Sequence, residues 1–147
     1  MVSVTILVDA NLLVYARVSS LPQNTSAHAW LSDRLNGEEP VGMAWESLLS
    51  FVRVTTNRRI FPRPLASEEA WGHVREWISL PRVTIPVPGE RYTSILGRLI
   101  LETSATADLI PDAHLAALAI EHGLVLCSSD GDFGRFRGLR WENPLLQ

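Results

Sequence analysis

Residues 111–132, PDAHLAALAIEHGLVLCSSDGD, carry a helix, its stop, a strand and a pair of acids, in that order. Pro111 suits the first position of a helix, where a missing N–H is no loss. Gly123 suits the left-handed residue that ends one. Residues 124–128 are short and apolar, the pattern of a strand buried on both faces of a sheet. Asp130 and Asp132 fall just beyond its carboxyl end.

The other end of the chain has a similar plan. Residues 4–8 form a short apolar strand, and Asp9-Ala10-Asn11 opens a helix running to about residue 18, since Asp and Asn are favoured at helix starts. A second helix over 25–35 stops before Asn36-Gly37, and Pro40-Val41-Gly42-Met43 is a brief strand. A third helix over 44–56 takes Trp45, Leu48, Leu49 and Val52 as its apolar face. Residues 58–64 are basic and irregular, broken by two prolines. Ser67 is the expected cap of a fourth helix, with Glu68 and Glu69 in the first turn where the helix dipole favours them. A weak strand at 83–87, a fifth helix over 90–102, and a short helix and strand near 139–141 complete the pattern. Strands alternating with helices predict an α/β fold with a parallel sheet covered on both sides.

At 147 residues the chain fits one domain, 1–147, large enough to bury a core. No apolar run nears the roughly 20 residues that span a bilayer, and MVSVTILVDAN reads as a first strand and not as a signal peptide. The single cysteine, Cys127, excludes an internal disulfide and predicts a packed core thiol in a reducing, cytoplasmic setting. All 13 basic residues are arginine. A chain without lysine has no Walker A site and no Schiff-base chemistry.

The six aspartates are unevenly placed. Asp9, Asp130 and Asp132 sit at strand carboxyl ends, the edge where open α/β sheets bind ligands. Asp112 follows Pro111 at a helix start. Glu46 is the only charged residue between Pro40 and Phe51, where burial without a partner would be costly. Each has a plain structural alternative: Asp9 as a cap, Asp112 as a dipole complement, Asp130-Gly131-Asp132 as a turn. Jointly they repel, by about 4 kcal/mol per pair at 4 Å and an effective dielectric of 20. All-oxygen ligation without paired Cys or His selects a hard cation, Mg²⁺ or Mn²⁺. Such sites activate water and stabilise phosphodiester displacement.

Three stretches, ILVDANLLVYA (6–16), PDAHLAALAIEHG (111–123) and SSDGDFGRFRGLRWENPL (128–145), resemble PIN-domain nucleases, and among them the VapC-type toxins. The resemblance implies a PIN-like three-layer α/β/α fold with a central parallel sheet of four to five strands. It implies a metal-dependent endoribonuclease with Asp9, Glu46, Asp112 and Asp130 as catalytic acids, of which Asp9, Asp112 and Asp130 are metal ligands. Asn11, Ser128 and Asp132 match supporting positions, and Asp108 is a second choice for the third acid. A VapB-type antitoxin and a homodimer are implied as well. The acids suggest that an antitoxin arginine would oppose metal binding. Trp30, Trp45, Trp71 and Trp77 are candidate anchors for that partner.

Arg53, Arg58, Arg59 and Arg63 are the densest basic stretch and candidates for RNA phosphate contacts. His114, two residues past Asp112, is expected to point elsewhere and to be structural. His28, His73 and His122 lack ligand spacing. A DNA-directed nuclease of the same fold and a non-catalytic scaffold stand as alternatives.

Overall fold

The computed structural model describes residues 4–146. The expected domain bounds of 1–147 therefore reach residues outside those described. The elements in chain order are β1 (Ile6–Val8), α1 (Ala10–Arg17), α2 (Asn24–Leu35), β2 (Val41–Gly42), α3 (Trp45–Thr55), α4 (Ser67–Ser79), β3 (Val83–Thr84), α5 (Tyr92–Thr103), α6 (Leu109–His122), β4 (Val125–Cys127), a 3₁₀ helix (Gly131–Arg135) and β5 (Trp141–Glu142).

The strands form one parallel sheet in the order β3-β2-β1-β4-β5. The expectation of an α/β/α fold with four to five strands is met with five. Because successive side chains on a strand point to opposite faces, each central strand feeds two cores. Ile6, Val8, Val125 and Cys127 pack with residues of α1–α4, including Leu12, Leu48, Phe51 and Trp77. Leu7 and Leu126 point the other way, against Leu99, Ala113, Ala116 and Leu118 of α5 and α6. Gly42 lets β2 run close to β1, since a Cβ there would stand 3.0 Å from the Ile6 carbonyl oxygen.

The chain builds one side of the sheet through β3, then crosses β1 to add β4 and β5. Strand order thus reverses between β1 and β4, and a crevice opens beyond their carboxyl ends. Asp9 follows β1 and Asp130 follows β4, so the reversal brings the two ends of the sequence to one place.

Several boundaries differ from expectation. Ser67 is the first residue of α4 and Ala66 its cap, with no side-chain cap bond. Pro111 is the third residue of α6, which begins at Leu109. A proline is tolerated there because the first-turn N–H groups have no intrahelical partner. On α3 the buried residues are Ser47, Leu48, Phe51 and Thr55, while Trp45 and Leu49 are 38% and 57% exposed. Both stripes have helical spacing, and the core takes the one carrying Phe51. Trp77 is fully buried, edge-on to Phe51, so it is not an anchor for a partner.

Candidate active site

Ser128, at the end of β4, is fully buried and uses its whole hydrogen-bonding capacity. Its hydroxyl donates to Asp9 Oδ2 at 2.8 Å and accepts from Asn11 Nδ2 at 3.1 Å and from the Asp130 backbone N–H at 3.0 Å. Asn11 Oδ1 accepts from the Ser129 N–H at 3.4 Å. Asp9 Oδ1 accepts from the Ala10 N–H at 2.7 Å, and the Asp9 N–H continues the β1–β4 ladder to Cys127 O. One hydroxyl thus ties together the loops after β1 and β4.

Asp130 Oδ1 accepts from the Asp132 N–H at 2.9 Å, capping the 3₁₀ helix. One carboxylate oxygen each from Asp112, Asp130 and Asp132 lie within 4.8 Å of one another. Asp108 is not among them; it is exposed at the start of α6. Among the described residues, no arginine pairs with Asp9, Asp112, Asp130 or Asp132.

The electrostatics follow from that lack of counter-charge. Burial pushes the Asp9 carboxyl up, with Asp130 adding to it and the Ser128 and Ala10 hydrogen bonds opposing it. Asp112 is pushed up to about 6, by burial first and then by Asp130, Asp9, Asp132 and Asp108. A crowded all-carboxylate site of this kind fits a hard divalent cation, which would supply the missing positive charge.

Asp9, Glu46, Asp112, His114, Ser47 and Ser50 border a cavity of about 400 Å³. Glu46 lines it from α3 as an exposed residue, so the expected cost of burying it does not arise. His114 also differs from expectation. It is well around the helix from Asp112, yet both line this cavity, and Nε2 lies 3.0 Å from Glu46 Oε1, although out of line for a hydrogen bond. Its Nδ1 makes a short hydrogen bond with the Tyr92 hydroxyl of α5. Nothing in the spacing of Tyr92 marked it as a neighbour of the acids.

Arg53, Arg58, Arg59 and Arg63 are all exposed, and among the described residues none forms an ion pair. Arg53 lines a second cavity that Asp9 and Asn11 also border. Trp45 and Trp71 are partly exposed and Trp30 is half-buried. Among the described residues, no helix is long and apolar enough to cross a membrane.

The PIN-domain family model matches residues 6–139. Ribonuclease VapC37 of Mycobacterium tuberculosis is 43% identical over 138 residues, covering 94% of this chain and 96% of that one. Ribonuclease VapC33 of the same species is 39% identical over 142 residues, with 97% and 99% covered. In fold, the chain is similar to VapBC2 from Rickettsia felis bound to a DNA fragment from its promoter, with a TM-score of 0.67, 18% identity, and 95% and 98% of the two chains covered. With its acids at the reversal of a five-stranded parallel sheet and VapC ribonucleases as near relatives along almost its whole length, the chain belongs to the PIN-domain family.

Proposed function

We propose that this protein is a metal-dependent endoribonuclease, the toxin of a VapBC-type pair, acting as one domain in the cytoplasm. The reading rests on the meeting of Asp112, Asp130 and Asp132 near a half-buried Asp9 whose carboxyl is pushed up, with no arginine paired to any of them among the described residues. The kinship with ribonucleases VapC37 and VapC33 supports RNA as the substrate. The Rickettsia felis VapBC2 complex supports a VapB-type antitoxin as partner. A homodimer fits the same reading.

Asp9, Asp112 and Asp130 would hold the ion, Mg²⁺ or Mn²⁺, and Asp132, whose carboxylate meets those of Asp112 and Asp130, would join them. When bound, such an ion activates a water and stabilises charge on a phosphoryl oxygen. The chain's own part is placement. Ser128 and Asn11 fix the Asp9 carboxylate and the Asp130 loop, so the acids are organised before any ligand arrives. Glu46, which lines the same cavity as Asp112, is placed to orient a water through its carboxylate, with the His114 ring 3.0 Å beside it. An antitoxin arginine reaching these acids would compete with the ion for them.

The test is incubation of purified protein with cellular RNA and with single-stranded DNA, each with Mg²⁺, with Mn²⁺ and with EDTA. RNA cleavage that EDTA abolishes is expected. Turnover of DNA alone would favour a DNA-directed nuclease, and no product from either would leave a binding scaffold.

A further inference from the structure

Asp9 borders two cavities. The acidic one lies toward Asp112. A second, of about 520 Å³, lies on the α1 side and is bordered by Tyr15, Leu21, Arg53, Ile60 and Phe61. They share Asp9, Ala10 and Ser50, so they are two halves of one cleft that meet where β1 turns into α1. Asp9, Glu46 and Asp112 stand on the first half among apolar neighbours, whereas Asp9 is the sole carboxylate on the second among the described residues, where Tyr15, Phe61 and aliphatic side chains stand beside Arg53.

We propose that the second cavity receives an unpaired nucleobase of single-stranded RNA whose backbone crosses the acids at Asp9, a proposal that rests on the ribonuclease reading and specifies part of its substrate. The volume lies within the roughly 300–1,000 Å³ of ordinary small-ligand sites. Tyr15 and Phe61 pack partly against the core, so their rings are held in place without being covered. Ile60 is 50% exposed. Every nucleobase has an apolar face that such side chains can stack on, independent of sequence.

Charge selects a polyanion over an apolar peptide as the occupant. The segment 58–63 reads RRIFPR, so arginines flank the two apolar residues that border the cavity. Arg63 also borders a smaller cavity that Phe61 shares. With Arg53, these side chains are exposed and, among the described residues, have no acidic partner. They offset the repulsion a phosphate chain meets from the acids and from a net charge of −3. An intact duplex keeps its bases stacked and would offer none to the cavity.

Two fluorescein-labelled probes of equal charge test this by anisotropy in Mg²⁺: dodecauridylate, and a dodecamer of abasic ribose phosphate. The host is the Asp112→Asn protein, which should not cut them. The base-bearing probe should bind about tenfold more tightly than the abasic one. Phe61→Ala should shrink that ratio to below about threefold, and Ile60→Ala, at a half-exposed position with little bearing on folding, should lower it too. Phe61→Tyr should keep it, while Arg58→Ala should weaken both probes alike. Equal binding of the two probes, or a ratio that survives both alanine variants, overturns the proposal and favours an apolar side chain of a protein partner as the occupant. Failure of the ribonuclease reading is seen separately, as wild-type protein that leaves RNA intact.

Discussion

Ser128 Oγ donates to Asp9 Oδ2 at 2.8 Å, joining residues 119 positions apart in the chain across the point where strand order reverses. The same hydroxyl also receives Asn11 and the Asp130 N–H, so its loss strands three groups at once. Ser128→Ala should cost about 1–3 kcal/mol of stability, the penalty for buried polar groups left unpaired, and should lower kcat by about tenfold or more. Ser128→Thr keeps the hydroxyl and should retain most of both. Urea denaturation and RNA cleavage measured on the two variants check this; equal behaviour of Ala and Thr would remove the hydroxyl from the account.

The pH dependence of the metal-free protein follows from Asp112. Its folded-state carboxyl titrates at about 6, against an ordinary value of 3.8, so the fold favours the protonated form. Between those values the native state holds the extra proton, and stability falls as pH rises toward 6 and above. In EDTA, the Tm should therefore be higher at pH 5 than at pH 7, by about 3 °C for a discounted shift of this kind on a partly exposed group. Asp112→Asn should flatten that slope. Saturating Mg²⁺ should reverse it, because cation and proton compete for the same oxygens. Thermal melts at the two pH values, with and without metal, read all three.

Much of this was legible in the sequence because the chemistry sits at strand ends. Asp9 and Asp130 stand where short apolar runs stop, and the alternation of strands and helices already implied a shared sheet edge. Residues whose meaning depends on tertiary meetings were less readable. Tyr92 comes to His114 only because α5 packs on α6, and no local pattern records that pairing. Helix geometry relative to Asp112 points His114 elsewhere, and only the fold brings Glu46 to it from α3. In the sequence Glu46 falls among apolar neighbours because residues 45, 48, 49 and 52 share one helical stripe. A competing stripe through Phe51 was the one the core took.

The contact of His114 with Glu46 gives a third prediction. Removing the ring in His114→Ala leaves the half-exposed Glu46 side chain, 53% accessible, free to wander. Cleavage should slow about three- to tenfold through kcat, with KM and the Mn²⁺-induced Tm shift unchanged. Tyr92→Phe should do the same more weakly, by freeing the imidazole. A variant that loses its metal response, or that shows a change in KM alone, would assign His114 a different role.

Asp9→Asn should abolish cleavage without unfolding the protein. Asp9 is raised chiefly by burial, so neutralising it removes a charge the fold disfavours. The metal-free Tm of the variant should stay within about 3 °C of the wild type, relief of the disfavoured charge offsetting the acceptor lost to Ser128 or Ala10. A large fall in that Tm would instead make Asp9 chiefly a cap of α1, through its bond to the Ala10 N–H.

On the proposed function, the acids at the sheet's reversal hold the cation on which cleavage depends. Calorimetric titration of Mn²⁺ into wild-type and Asp112→Ala protein, with RNA cleavage followed at the same metal concentrations, tests it most directly. Wild-type protein should bind the ion, gain about 2.7 kcal/mol of stability at one hundred times Kd, and cut RNA in step with site occupancy. Asp112→Ala should lose the binding, the stabilisation and the cleavage together. Equal Mn²⁺ binding by the two proteins, or RNA cleavage by Asp112→Ala at the wild-type rate, would mean that these acids do not hold the catalytic ion.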